Sequence, residues 1–169
     1  ILHYAEIAIK GRNRPLFIQQ LAHNIDSALR GLPVHKVQIA TGRLILNPTQ
    51  ESGLPATVFQ RLSHVCGLSS FSPVIKVPLE IEQMKQAARR AVDGLSYQTF
   101  RVKARRAFKE MPYSSDFINA EVGADLLRYR PATVKLKGAE QTIYIEMIPG
   151  RAYIYTQKYT GMGGLPVAK

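Results

Sequence analysis

Apolar positions recur along this chain at two periods, and the switches between the periods mark its elements. Leu2 to Ile9 is short and apolar, with Ile7 and Ile9 alternating against Ala8 and Lys10, and reads as a strand. Gly11 and Asn13 break it. Pro15 suits a first helical turn, where its missing N–H is no loss. Ile18, Leu21, Ala22, Ile25, Ala28, Leu29 and Leu32 then recur at helical spacing up to Gly31. Val34–Ala40 and Arg43–Leu46 read as strands joined by a turn at Thr41-Gly42. Val58, Phe59, Leu62, Val65 and Cys66 mark a second helix ending at Gly67, and Ser70–Val77 reads as one last strand. The order βαββαβ is the ferredoxin-like arrangement of a split βαβ unit.

Pro73 and Pro78 bracket the exit, and the boundary is expected at Pro78, giving a first domain of residues 1–77. A helix follows, with Ile81, Met84, Ala88, Ala91, Val92 and Leu95 on one face and Gly94 closing it. Thr99–Ala107 reads as a strand. Ser114 and Ser115 are N-cap candidates, with Asp116 in the first turn where the dipole favours it. Ile118, Val122, Leu126 and Tyr129 form the stripe of that helix. Three strands are expected at Thr133–Lys137, Thr142–Ile148 and Ala152–Lys158, with Pro149-Gly150 as a turn. The fold class is therefore α+β, two small domains, with αβαβββ order over residues 78–159. The aperiodic tail, residues 160–169, reads as a linker toward a further domain.

Length alone allows one ordinary domain or two small ones. No apolar run approaches the ~20 residues of a membrane span, and Ile1 to Lys10 lack a secretory leader's basic head and apolar core. Cys66 is the single cysteine, so an internal disulfide and a multi-cysteine zinc site are excluded. A reducing, cytoplasmic setting is expected.

Charge changes the picture more. There are 23 Lys and Arg against 12 Asp and Glu, a net charge of +11. Such an excess favours a polyanion, above all a nucleic acid. Arg101, Lys103, Arg105, Arg106 and Lys109 fall within nine residues. On a strand, Arg101, Lys103 and Arg105 share one face and Phe100, Val102 and Ala104 the other. Alternate cations then stand about 6.6–7 Å apart, a spacing suited to phosphates along a strand. Lys135 and Lys137 repeat the pattern, and there a solubilising edge is an equal reading. Lys10-Gly-Arg12-Asn-Arg14 precedes a helix start and reads equally as a phosphate site or a solvated turn. Tyr153, Tyr155 and Tyr159 alternate and offer faces for unpaired bases, with sheet packing the preferred reading.

No catalytic or metal-binding constellation is visible. His3, His23, His35 and His64 are scattered without ligand spacing. Cys66 reads as a buried inert thiol on the apolar side of a short helix. Glu6 and Glu146 are isolated carboxylates with no evident partner. Gly161-Met-Gly-Gly lacks the Lys-Ser/Thr of a phosphate loop.

The residues resemble a known family. Tyr4-Ala-Glu-Ile-Ala-Ile-Lys10-Gly-Arg12-Asn-Arg14, with Phe17 and Leu21 following, is similar to the N-terminus of the tRNA 4-thiouridine synthetases, the ThiI family of tRNA sulfurtransferases. Phe100-Arg-Val-Lys-Ala-Arg-Arg106, then Phe108-Lys-Glu-Met-Pro112, resembles their THUMP domain. Gly161-Met-Gly-Gly-Leu-Pro166 resembles the joint to their PP-loop catalytic domain. The helix exit Arg128-Tyr-Arg-Pro131 lacks the aspartate expected before that proline.

The resemblance implies a tRNA-binding fragment. It would hold the acceptor stem and CCA end for a PP-loop domain outside this chain, which uses ATP with Mg and draws sulfur from a cysteine desulfurase. It implies no catalytic residue, cofactor or metal in this chain, no membrane partner, and the possibility of a homodimer. It ranks Lys103, Arg105 and Arg106 first for RNA contact, then Arg101, Lys109, Lys10, Arg12 and Arg14, with Lys135 and Lys137 last. The alternatives are the THUMP module of another tRNA-modifying enzyme and a basic protein-interaction domain.

Overall fold

A computed structural model describes residues 1–4, 13–164 and 166. The chain forms two compact units, Ile1–Ser72 with Lys158–Lys169, and Pro73–Gln157. Each has its own hydrophobic core.

In the first unit the elements are β1 (Leu2–Tyr4), α1 (Arg14–Ala28), β2 (Gln38–Ala40), β3 (Arg43–Ile45), α2 (Ala56–Leu62) and β4 (Leu68–Phe71). Pro15 sits in the first turn of α1, and the helical stripe buries Leu21 and Ile25 completely. These pack with Leu44, Val58, Leu62 and Leu68. The sheet runs β4-β1-β3-β2, the antiparallel ferredoxin-like order read from the pattern. The expected strand from Leu2 is seen to Tyr4; its remainder, with Glu6, Lys10 and Arg12, lies outside the described residues. α2 ends at Leu62, so Cys66 stands in the turn behind it, half-buried, rather than on a helix.

The single strand expected over Ser70–Val77 is two strands. β4 pairs with β1, whereas β5 (Ile75–Pro78) pairs with β9 (Arg151–Tyr155) in the other sheet. Pro73 lies between them and cannot donate to a ladder. Ser72 N instead donates to Ile1 O at 3.0 Å. The units therefore part between Ser72 and Pro73, ahead of the Pro78 break expected from the sequence.

After β5 the second unit continues with α3 (Ile81–Val92), β6 (Thr99–Arg106), α4 (Ser115–Tyr129), β7 (Thr133–Val134) and β8 (Gln141–Ile148) before β9. A strand thus precedes the αβαβββ order. The sheet runs β5-β9-β8-β6-β7, with β6 parallel to both β7 and β8. Ser114 caps α4, its hydroxyl accepting from Phe117 N at 3.1 Å. Met84, Ala88 and Val92 of α3 and Ile118, Val122 and Leu126 of α4 are fully buried with Phe100, Ile143 and Ile145 of the sheet.

The two helices are also joined by charge. Arg89 donates to both carboxylate oxygens of Asp125, at 2.8 and 2.6 Å. This bidentate pairing holds the buried Asp125 carboxyl below the usual carboxylate range. Arg130, which follows α4, donates to Val92 O and Leu95 O at 3.2 and 2.9 Å and lies 4.1 Å from the Tyr97 ring centroid. It satisfies the carbonyls at the end of α3. The helix exit without an aspartate is thus built around an arginine.

The tail is not a free linker. β10 (Tyr159–Thr160) pairs antiparallel with β4 and adds a fifth strand to the first sheet. Gly161 N and Gly163 N continue the pairing onto Ser69 O and Leu68 O, and Gly67 N donates to Gly163 O at 2.7 Å. A Cβ on Gly161 would stand 2.2 Å from Leu68 O, so only glycine fits there.

Candidate nucleic-acid interface

β6 is laid down as its alternation requires. Phe100, Val102 and Ala104 are buried, while Lys103 and Arg105 are exposed on the opposite face and Arg101 is half-buried. Asn119 Oδ1 of α4 accepts from Ala104 N at 2.8 Å, fixing the strand against the helix. Lys103 stands opposite Tyr144 of β8, and Arg105 opposite Glu146. Arg101 Nε is buried with no hydrogen-bond partner among the described residues.

At the end of the strand the chain turns. Arg106 Nη1 donates to Lys109 O at 3.2 Å, and this closes the turn that leaves Lys109 exposed. The same turn presents Phe108, 41% exposed, in a groove it shares with Leu79, Glu80, Glu110 and Met111. Sequence reading passed over that ring as part of a motif. Its signal was an aromatic residue following directly on a basic strand.

Glu146 is not isolated. The Tyr155 hydroxyl donates to it, and burial first, then the Glu146 charge, pushes that phenol well above its ordinary value. Tyr155 stacks on Tyr144 with centroids 4.9 Å apart. Tyr153 and Tyr155 are 1% and 4% exposed and offer no face to a base. Tyr159 belongs to another strand and another sheet, where it packs between Phe59 and Phe71. Tyr153 and Tyr155 are structural, while Tyr159, packed on the Phe59 and Phe71 rings, keeps 43% of its surface exposed.

Lys135 and Lys137 are not on a strand. β7 ends at Val134, and both lysines are exposed in the bends that follow, so the second cation ladder does not form. Lys135 N still donates to Phe100 O of β6 at 2.9 Å, the last bond of the β6–β7 pairing before the chain bends away. Arg14 is exposed at the start of α1, with Nη2 3.5 Å from the Tyr4 hydroxyl and the guanidinium 6.0 Å from that ring. Lys103, Arg105, Arg106 and Lys109 are thus brought together in one unit with Arg101, while Arg14 belongs to the other.

Among the described residues no group of three or more His, Cys, Asp or Glu could hold a metal ion, and no helix is long and apolar enough to cross a membrane.

Comparison with known proteins agrees with this architecture. Residues 1–72 match the ThiI ferredoxin-like domain and residues 80–157 the THUMP domain. The chain belongs to the ThiI ferredoxin-like and THUMP domain families. The ThiI ferredoxin-like match ends at Ser72, where the first unit breaks, and the THUMP match ends at Gln157, before β10. A probable tRNA sulfurtransferase from Moorella thermoacetica is 36% identical over 168 residues, which are 99% of this chain and 42% of that protein. The chain spans about two fifths of the length of such relatives.

Among solved structures, PH1313 from Pyrococcus horikoshii superposes with a TM-score of 0.87 at 34% identity, over 98% of this chain and 56% of that one. A 4-thiouridine synthetase in complex with RNA and bound ATP superposes with a TM-score of 0.78 at 30% identity, over 98% and 42%.

Proposed function

We propose that this chain is the tRNA-gripping part of a tRNA sulfurtransferase. Its THUMP domain would hold the acceptor stem and single-stranded CCA end, so that a PP-loop domain outside these residues can thiolate a distant uridine. One observation carries the reading. Lys103 and Arg105 stand exposed on alternate positions of a strand whose other face is locked into the core. A rigid row of cations at about 6.6–7 Å intervals follows a phosphate backbone at little cost in side-chain ordering. The exposed Phe108 ring at the end of that row gives an unpaired base a stacking surface.

The 4-thiouridine synthetase solved with RNA and the sulfurtransferase relatives support tRNA as the partner. ATP belongs to the proposed PP-loop domain. The segment from Gly161 to Gly164 gives ATP no phosphate cradle, because the amides of Gly161 and Gly163 are engaged with Ser69 O and Leu68 O. The site therefore binds and orients. Its exposed lysine and arginine meet phosphates, and Arg101 Nε is a buried donor without an acceptor among the described residues.

The test is binding of intact tRNA and of tRNA trimmed of its CCA end. The reading expects trimming to weaken binding about tenfold, the loss of one or two stacked bases. Equal affinity for both would place the grip elsewhere on the RNA.

A further inference from the structure

The first unit has a second concentration of basic side chains that the β6 row does not include. Where α1 ends, the chain turns through Gly31, φ +86°, and returns as the loop before β2. Helix end and loop enclose a cavity of about 350 Å³. His23 and Ser27 of α1, Arg30 of the turn, and His35 and Lys36 of the loop line it. His23, Arg30, His35 and Lys36 are exposed, and their side chains have no hydrogen-bond or ion-pair partner among the described residues. Cations with a structural task here are paired: Arg89 and Arg128 with Asp125, Lys85 with Glu121.

Two features that would repel an anion are already engaged. A helix C-terminus presents free carbonyls and the negative end of its dipole. Arg61 Nη1 covers that end, donating to Ala28 O at 3.2 Å and Arg30 O at 3.0 Å. Asp26, also on the wall, accepts from Val37 N at 2.9 Å. Its single charge is outnumbered by Arg30, Lys36 and the adjoining Arg61.

A guanidinium fork, an ammonium, two imidazole edges and a hydroxyl offer donors from several directions. That suits the tetrahedral oxygens of a phosphate better than a planar carboxylate. Arg14 stands at the far end of the same helix, about 20 Å away along its axis.

We propose that this pocket binds a backbone phosphate of RNA and gives the first unit its own grip on the molecule held by β6. The proposal rests on the RNA-binding reading above. A free phosphate ion would offer the same chemistry, so the test separates the two sources.

The 169-residue chain is compared with Arg30→Ala/Lys36→Ala and, separately, Lys103→Ala/Arg105→Ala in tRNA binding across salt concentrations. The histidine ring signals of the unaltered chain are followed by NMR with tRNA and with inorganic phosphate. We expect Arg30→Ala/Lys36→Ala to weaken binding about fivefold to tenfold and to flatten the slope of log K against log salt by about 1–2. We expect tRNA to shift the His23 and His35 ring signals. Unchanged affinity, slope and ring signals, while the β6 variant loses binding, would overturn the pocket and leave the RNA reading standing. Ring signals that answer to inorganic phosphate and not to tRNA would also overturn it, since the site would then serve small anions. If neither double variant weakens binding and the rings stay still, the RNA reading itself fails. The spectra of the unaltered chain decide the matter even if a variant melts early.

Discussion

The two units cover a five-stranded sheet with two helices each, but they close it differently. Among the described residues the first has strands of two to four residues, and its fifth strand arrives from the far end of the chain. Its order depends on Tyr159, Thr160, Gly161 and Gly163 returning to β4 and the turn before it. The second is built on two parallel eight-residue strands, β6 and β8, with α3 and α4 fastened to each other by Arg89, Asp125 and Arg130. Closure by a distant segment carries a loop-closure entropy that a local helix pair avoids. The second unit is thus the stiffer mount, and it bears the cation row. Preorganised cations lose less entropy on binding than mobile ones.

That contrast breaks most readily at Gly161. Gly161→Ala drives a methyl into Leu68 O and must displace the tail from β4. We expect about 2–4 kcal/mol of destabilisation confined to the first unit, seen as an earlier urea transition for amides of β1 and β4 by hydrogen exchange. Amides of β6 and β8 should keep their protection.

Asp125→Asn strikes the second unit. It removes the charge that Arg89 clamps between the helices, and we expect that unit's melting temperature to fall by several degrees at neutral pH. The pH dependence has a definite sign. Asp125 has a folded pKa below its unfolded value, so its stabilisation is present above about pH 4 and is lost as pH falls through the folded pKa. Melting curves from pH 7 down to pH 2 should therefore show a shallower acid limb in Asp125→Asn than in the unaltered chain.

Ser114→Ala is the smallest of the three. It deletes the hydroxyl that accepts from Phe117 N, and about 1 kcal/mol of stability should go with it, read from urea midpoints of the second unit. First-unit amides should not respond.

Sequence periodicity made the helices and most of the core legible, because the stripes of α1, α3 and α4 bury most of the residues that recur at helical spacing; Tyr129 is the departure, 45% exposed with its hydroxyl donating to Asp93. The cation face of β6 was legible for the same reason, since alternation on a strand is local. Ser70–Val77 misled because its apolar run is continuous and only the pairing partners, β1 and β9, show that it serves two sheets. β10 was hidden because a glycine-rich tail has no period, and its strand character comes wholly from the edge of β4. Lys135 and Lys137 looked like β6, but β7 stops at Val134 and the alternation continues through a loop. The pocket at the end of α1 joins residues 23 to 36 across a helix and a turn, and no single period connects them.

The central claim is that RNA is held through the row on β6. Lys103 and Arg105 are exposed and opposed to the core, so their removal should leave the melting curve unchanged. The decisive measurement is tRNA affinity against salt for the chain and for Lys103→Ala/Arg105→Ala. The account predicts about tenfold weaker binding and a slope shallower by about 1.4–1.8, the release of counterions from two phosphates. Equal affinity and an equal slope would contradict it.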